Sequence, residues 1–172
     1  DISNFGAPSW SVDGQSIIVP ARDHGQFNLW RIFPEGENKD RLTLDGAEFG
    51  REAPDGSHIY FTRPDAPGFF RLDRSGHVEQ VYAPWESRYG WANWDWLNDR
   101  ELIYSEVRDD QIVVSKLQFK QGITQAVFAL PLRSIHRHGH LSYSPHNDSI
   151  YFTSRELPQS DIWISNDPLA RP

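Results

Sequence analysis

The sequence predicts an all-β protein, a β-propeller: four-stranded antiparallel sheets, called blades, arranged around an axis, with about four blades in this chain. One observation is a pattern of turns and strands that repeats roughly every forty residues, the length of a propeller blade. The other is composition, since aromatic residues make up 13% of the 172 residues and 12 Gly and 12 Pro are spread along the chain. Many aromatic residues between regular turn formers are typical of short strands.

The repeat appears as four similar segments, each containing an Ile in a β-rich run. The segments run over Pro8–Ile32, Glu52–Asp73, Trp94–Leu117 and Leu141–Ser165. Their aligned residues, Ile17, Ile59, Ile103 and Ile150, are 42, 44 and 47 residues apart, and we expect them to be buried at equivalent strand positions. The whole chain is then one propeller region, residues 1–172, with blades at about 7–46, 47–84, 85–131 and 132–172.

Each segment has the same order of turns and strands. A turn such as Asp13-Gly14 or Asp55-Gly56 precedes the β-rich run, and Asp-Gly favours hairpins because both residues tolerate turn geometry. We interpret these aspartates as turn formers, since a calcium-binding D-x-D-x-D-G loop is absent. A further strand and an outer strand follow. We expect Arg41–Leu44 to be such an outer strand, and Thr124–Leu130 to be another rather than a short helix.

Composition excludes several kinds of function. The chain has no Cys, which excludes disulfides, thiolate metal ligands and a Cys nucleophile. Its net charge of -7 gives no electrostatic basis for direct contact with nucleic acid. No apolar run approaches the ~20 residues that cross a bilayer, and no signal peptide is visible. We therefore expect any membrane contact to come from segments outside this chain, which lacks an initial Met and reads as a piece of a longer protein.

The repeats resemble the WD-like repeat of the TolB family, whose pattern is approximately S-P-D-G-x-x-I-x-F-x-S, a variable turn, then D-I-[WY]-[VIL]. In the fourth repeat the matching residues are Ser144, Pro145, Ile150, Phe152, Ser154 and Asp161–Ile164. In the first they are Ser11, Asp13, Gly14, Ile17, Leu29 and Trp30. The third departs most, with Asn98-Asp99 at the turn and Val113-Val114 in place of Ile-Trp. The resemblance implies a TolB-like propeller and leaves the function open, because this repeat occurs in unrelated proteins.

The family includes the envelope protein TolB, the propellers of prolyl-oligopeptidase-like peptidases, oligogalacturonide lyases and the sensing regions of CadC-like membrane-bound transcription regulators. Few residues follow Ser165, so we expect the propeller to be the last domain of its parent, as in a CadC-like regulator. The resemblance then implies a non-enzymatic, periplasmic or extracytoplasmic module that binds a small ligand or a protein and needs no cofactor. The alternatives are a fragment of a metal-dependent lyase-like enzyme and a TolB-like protein-interaction scaffold.

Three histidines, His136, His138 and His140, alternate along the chain and would share one face of an extended strand. Three imidazoles on one face can bind zinc or manganese, and oligogalacturonide lyases of this fold have metal-binding His in a similar place. No Gln or carboxylate lies beside the cluster. We therefore predict that these histidines hold no metal and form a polar loop at a channel mouth, where they are candidate ligand contacts.

Five aromatic residues lie close together at the start of the third repeat: Trp85, Tyr89, Trp91, Trp94 and Trp96. They could form a platform for a carbohydrate or a peptide, because aromatic side chains dominate binding surfaces. They could equally fill the space between blades, which requires large apolar side chains. We favour the second for most of them, and take Trp85 and Trp91, which precede the strand, as candidate ligand contacts.

Four blades in an open row would leave two end faces uncovered. We expect Trp30, Phe70 and Trp163 on blade faces, where each aromatic side chain left in water forgoes ~1.5–3 kcal/mol of burial. The chain should then close into a small ring or associate with a second copy. We favour a homodimer over closure, because TolB-like blades are shaped for rings of more than four blades.

Overall fold

The computed structural model describes residues 2–3, 5–35, 38–82, 93–131, 140–155 and 160–165, with side chains described up to residue 153. The chain divides into two compact units, unit 1 with residues 1–87 and unit 2 with residues 88–172. In these described ranges there is no helix that could cross a membrane.

Unit 1 contains two sheets of four strands. Blade 1 consists of β1 (Ser9–Trp10), β2 (Ile17–Asp23), β3 (Gln26–Ile32) and β4 (Lys39–Arg41). Blade 2 consists of β5 (Phe49–Glu52), β6 (Ile59–Thr62), β7 (Phe69–Leu72) and β8 (Val78–Tyr82).

Unit 2 contains the other two sheets. Blade 3 consists of β9 (Trp94–Trp96), β10 (Glu101–Arg108), β11 (Gln111–Gln118) and β12 (Ile123–Pro131). The described strands of blade 4 are β13 (Leu141–Ser144), β14 (Ser149–Arg155) and β15 (Ser160–Ser165).

Every sheet is an antiparallel meander in which each strand pairs with the strand that follows it in the chain. This order is the blade that the repeat predicts. The segment Thr124–Leu130 lies within strand β12, as expected. The outer strand of blade 1 differs from the prediction, because β4 ends at Arg41. Thr43 instead turns inward, where its Oγ1 accepts the Leu29 backbone N–H at 2.9 Å.

Blades 1 and 2 pack face to face through a buried apolar cluster. Ile18 and Leu29 of blade 1 are fully buried against Ile59, Phe61 and Phe70 of blade 2. The rings of Phe61 and Phe70 stack with their centroids 5.7 Å apart. Burying each of these side chains contributes about 1.5–3 kcal/mol. Phe70 lies on a blade face, as expected, and its side chain is only 7% exposed because the neighbouring blade covers it.

Blades 3 and 4 pack in the same way within unit 2. Ile103 and Val114 of blade 3 form a buried cluster with Leu141 and Ile150 of blade 4. Each unit therefore has its own core, made by one face of a blade and the opposite face of the next.

Hydrogen bonds between the first strands of neighbouring blades, β1 with β5 and β9 with β13, stabilise both interfaces. In unit 1, the Ser9 hydroxyl donates to the Gly50 carbonyl at 2.8 Å. In unit 2, the Tyr143 backbone N–H donates to Oδ2 of Asp95 at 2.9 Å. Asp95 is 8% exposed, and a buried carboxylate requires such donors. These contacts fix the position of one inner strand beside the next.

The four aligned isoleucines are not all equivalent. Ile59, Ile103 and Ile150 are buried, as predicted, whereas Ile17 is only half buried. The turn before β10 is shorter than the turn before β2, so the residue of blade 3 that corresponds to Ile17 is Leu102. Ile103 therefore corresponds to Ile18, and both lie on the face that packs against the next blade.

Candidate functional site

The histidine cluster lies mostly outside the described residues, because His136 and His138 fall in the range 132–139. His140 is described and exposed, and its backbone carbonyl accepts the Thr153 N–H at 3.2 Å. Among the described residues, no group of three His, Cys, Asp or Glu side chains is placed to hold a metal ion. The predictions for the histidine cluster therefore remain untested.

The aromatic group is also only partly described. Trp85 and Trp91, the two candidate ligand contacts, fall in the range 83–92, outside the described residues. Trp94 is fully buried, and its ring meets that of Trp96 edge to face, with centroids 6.1 Å apart. Trp96 is half buried and also contacts Phe119. Trp94 thus has the packing role that the sequence predicts for most of this group.

Unit 1 contains a cleft of about 730 Å³ between blades 1 and 2, which we call the interblade cleft. This volume is within the range of ligand-binding pockets. Turns at one end of the two blades form much of its wall. Blade 1 contributes Val12, Asp13, Arg31, Arg41 and Leu42, and blade 2 contributes Glu52, residues 55–59 and residues 72–76.

Three aspartates in tight turns place carboxylates on the wall of the interblade cleft, which also contains arginines. Asp13 accepts the Gln15 backbone N–H at 3.0 Å and the Ser11 hydroxyl at 2.7 Å, and these bonds lower its pKa. The Ser57 hydroxyl and backbone N–H lower the pKa of Asp55 in the same way. The third, Asp73, has its pKa lowered chiefly by the hydroxyl of Ser75, with further backbone hydrogen bonds. The three carboxylates are therefore ionised at neutral pH.

The assignment of Asp13 and Asp55 as turn formers is confirmed by these hydrogen bonds. Each aspartate is followed by a glycine in the left-handed region, with φ of 68° at Gly14 and 67° at Gly56. That conformation favours glycine because a side chain would be strained there.

An ion pair joins the two blades inside the interblade cleft. Arg31 Nη2 of blade 1 lies 2.6 Å from Oε1 of Glu52 in blade 2. The other carboxylate oxygen of Glu52 accepts the Val12 backbone N–H at 2.8 Å. Arg31 Nε is buried and has no hydrogen-bond partner among the described residues. Arg41 and Arg74 also line the cleft, so it contains cationic groups beside its carboxylates.

Sequence reasoning did not identify the interblade cleft. Arg31 and Glu52 are 21 residues apart and belong to different repeats, so no local motif joins them. The sequence does contain a signal for the contact of Asp95, because this charged residue lies between Trp94 and Trp96 in a strand predicted to be buried. Such a carboxylate requires a buried donor, and Tyr143 of the next repeat supplies it.

No protein-family model matches this sequence, and no curated protein matches it. Solved structures do match. TolB from Acinetobacter baumannii aligns with a TM-score of 0.72 at 22% identity, over 95% of this chain and 41% of that one. A putative TolB from Agrobacterium tumefaciens aligns with a TM-score of 0.65 at 19% identity, over 94% of this chain and 58% of that one.

An oligogalacturonate lyase in complex with manganese also matches, with a TM-score of 0.67 at 15% identity, over 99% of this chain and 52% of that one. This chain therefore spans about half the length of these structures. Together with the four meander sheets, the likenesses show that the chain has a TolB-like β-propeller fold and forms part of a propeller.

Proposed function

We propose that this chain is a non-enzymatic binding module whose interblade cleft receives a small ligand or a segment of a partner protein. The observation that carries the proposal is the cleft itself, a space of about 730 Å³ between two blades. Pockets of this size that combine apolar and polar walls are the usual sites of ligand binding. Leu42, Ile59 and Leu72 supply apolar lining beside the charged groups.

The charges of the interblade cleft favour a ligand that carries both hydrogen-bond donors and acceptors. The ionised carboxylates of Asp13, Asp55 and Asp73 accept hydrogen bonds and attract a cation. The guanidinium groups of Arg41 and Arg74, which also line the cleft, can donate hydrogen bonds to an oxygen of the ligand. A peptide segment with a basic side chain combines these features. We therefore take short peptides as the first class of ligand to test.

The setting that we propose is the extracytoplasmic sensing region of a CadC-like transcription regulator. Its support is the resemblance of the repeats to those of such regulators, with a TolB-like interaction scaffold as the alternative. The coding sequence upstream of Asp1 tests the setting. A winged-helix domain followed by one apolar span supports it, whereas a secretion signal followed by a small α/β domain favours the scaffold.

Binding in the interblade cleft can be tested by titrating the isotope-labelled chain with tripeptides that carry a Lys, a Glu or an apolar centre. We expect the Lys peptide to shift the amide signals of Ser57 and Ser75, which line the cleft. Val12→Trp narrows the cleft from a position that is 54% exposed, and should abolish the shifts. Leu44→Trp is the matched control, since Leu44 is 70% exposed and outside the cleft. Shifts that persist in Val12→Trp, or their absence with every peptide, would contradict the proposal.

A metal-dependent lyase-like activity is the second candidate function. It is favoured by the likeness to the oligogalacturonate lyase that was solved with manganese. The test is incubation of the chain with an oligogalacturonide and Mn²⁺, followed by measurement of the unsaturated product. Product formation that is lost in His140→Ala would support this candidate over a binding module.

A further inference from the structure

Strand β12 forms one edge of the blade 3 sheet, whose order is β12-β11-β10-β9. It has nine residues, Ile123–Pro131, and most of their side chains are exposed. In the part of the chain that the structure describes, β12 pairs with β11 along one edge and no strand pairs with the other. An open edge of this kind presents a row of backbone donors and acceptors to any strand that approaches.

The outer strands of the first two blades are better protected against such pairing. Strand β4 has three residues, Lys39–Arg41, and all three are charged. Strand β8, Val78–Tyr82, has five residues and includes Glu79. The nine residues of β12 read ITQAVFALP and carry no charge. Short length and charge are the features that keep edge strands from associating, and β12 has neither.

The register of blade 3 shows which backbone groups of β12 face the open edge. Arg108 and Gln111 close a two-residue turn whose residues, Asp109 and Asp110, have φ of 45° and 60°. The two residues that flank such a turn exchange backbone hydrogen bonds with each other. The N–H and C=O of Gln111 therefore point toward β10. Backbone groups of successive residues in a strand point to opposite neighbours, so the N–H and C=O of Val113 also point toward β10. The partner of Val113 on β12 is Ala129. Ala129 therefore directs its N–H and C=O to the open edge.

We propose that β12 is a self-association surface, on which the β12 strand of a second copy of this chain adds in antiparallel fashion about a two-fold axis. The result is one continuous sheet of eight strands across a homodimer. A two-fold interface requires a surface that complements itself. The uncharged sequence of β12 meets this requirement, because no residue would face a like charge in the second copy.

A second copy fits the open edge of β12 better than it fits the outer face of blade 1. On that face, Val19 and Ala21 are already buried, and the Arg41 guanidinium lies over the Trp30 ring at 6.0 Å. The net charge of -7 repels copies of the chain from one another at low ionic strength. Because β12 itself is uncharged, screening by salt should strengthen the association rather than weaken it.

The test compares Ala129→Pro with Ala129→Ser by sedimentation equilibrium over a concentration series. Proline removes the N–H that faces the open edge and preserves the ladder with β11, whereas serine keeps both. We expect a concentration-dependent dimer for the unchanged chain and for Ala129→Ser. For Ala129→Pro, we expect a dissociation constant that is at least about tenfold higher. A monomer at every concentration, or an equal dissociation constant for the two variants, would overturn the proposal.

A second measurement covers the case in which Ala129→Pro disturbs folding. The chain has no Cys, so a single introduced Cys reports its own contacts. Single substitutions at Thr124, Gln125 and Ala126 place a thiol along β12, and Gln80→Cys places one on the outer strand of blade 2. Mild oxidation should give disulfide-linked dimers from at least one β12 position and none from Gln80. Equal crosslinking at Gln80, or none along β12, would contradict the proposal.

Discussion

The turn aspartates combine a structural and an electrostatic role. In each turn one carboxylate oxygen accepts hydrogen bonds from the second residue that follows, as Asp55 does from the N–H and hydroxyl of Ser57. These bonds favour the ionised carboxylate and lower the pKa of the group. Folding and ionisation are therefore linked at Asp13, Asp55 and Asp73.

This linkage predicts a loss of stability in acid. Because the folded pKa of each aspartate lies below the unfolded value, the folded state binds fewer protons, and stability falls as the pH drops through the folded pKa. We expect the urea midpoint of the unchanged chain to fall between about pH 5 and pH 2. The triple variant Asp13→Asn, Asp55→Asn and Asp73→Asn keeps an oxygen acceptor in each turn without a titrating group. It should show a weaker pH dependence over that range, and an identical pH profile would show that these groups do not carry the effect.

At the scale of the strand, neighbouring residues of β2 have opposite roles. Ile18 is fully buried in the interface with blade 2, whereas Ile17 points to the other face of the sheet and is half buried. Successive side chains of a strand lie on opposite faces, so one position separates an interface residue from an outer one. The contrast offers a matched pair of substitutions on a single strand.

We expect Ile18→Ala to destabilise the chain by about 2–5 kcal/mol, because it leaves a cavity between the blades. Ile17→Ala removes the same atoms from a half-buried position and should cost at most about half as much. Urea unfolding followed by tryptophan fluorescence measures both. Equal losses in the free energy of unfolding would show that the two faces of β2 contribute equally to stability, which contradicts the packing in unit 1.

The strands also show what could be predicted from sequence. Turn sequences such as Asp55-Gly56 act locally, so the sequence places the hairpins correctly. The alignment failed at Ile103 because the turn before it is shorter, and a shift of one residue moves a side chain to the other face. The interblade cleft depends on the packing of two blades, and residues such as Arg31 and Glu52 meet there without any shared local pattern.

At the scale of the whole molecule, unit 1 has the parts that a folding domain requires. Unit 1 contains two complete four-stranded sheets and the buried cluster between them. The hydrogen bond from Ser9 to Gly50 and the ion pair between Arg31 and Glu52 also lie within it. Domains of roughly 60 residues or more can form a stable core, and unit 1 exceeds this length.

We therefore predict that residues 1–87 fold when they are expressed alone. The piece should show the circular dichroism of a β-protein and unfold cooperatively in urea, because the cluster around Ile18, Ile59 and Phe61 is complete within it. The decisive control is Ile18→Ala, which should destabilise the isolated piece by the same amount as the full chain, since all of the described partners of Ile18 in the cluster lie in unit 1. A piece without cooperative unfolding, or one that is insensitive to Ile18→Ala, would show that the interface between blades 1 and 2 does not form independently of unit 2.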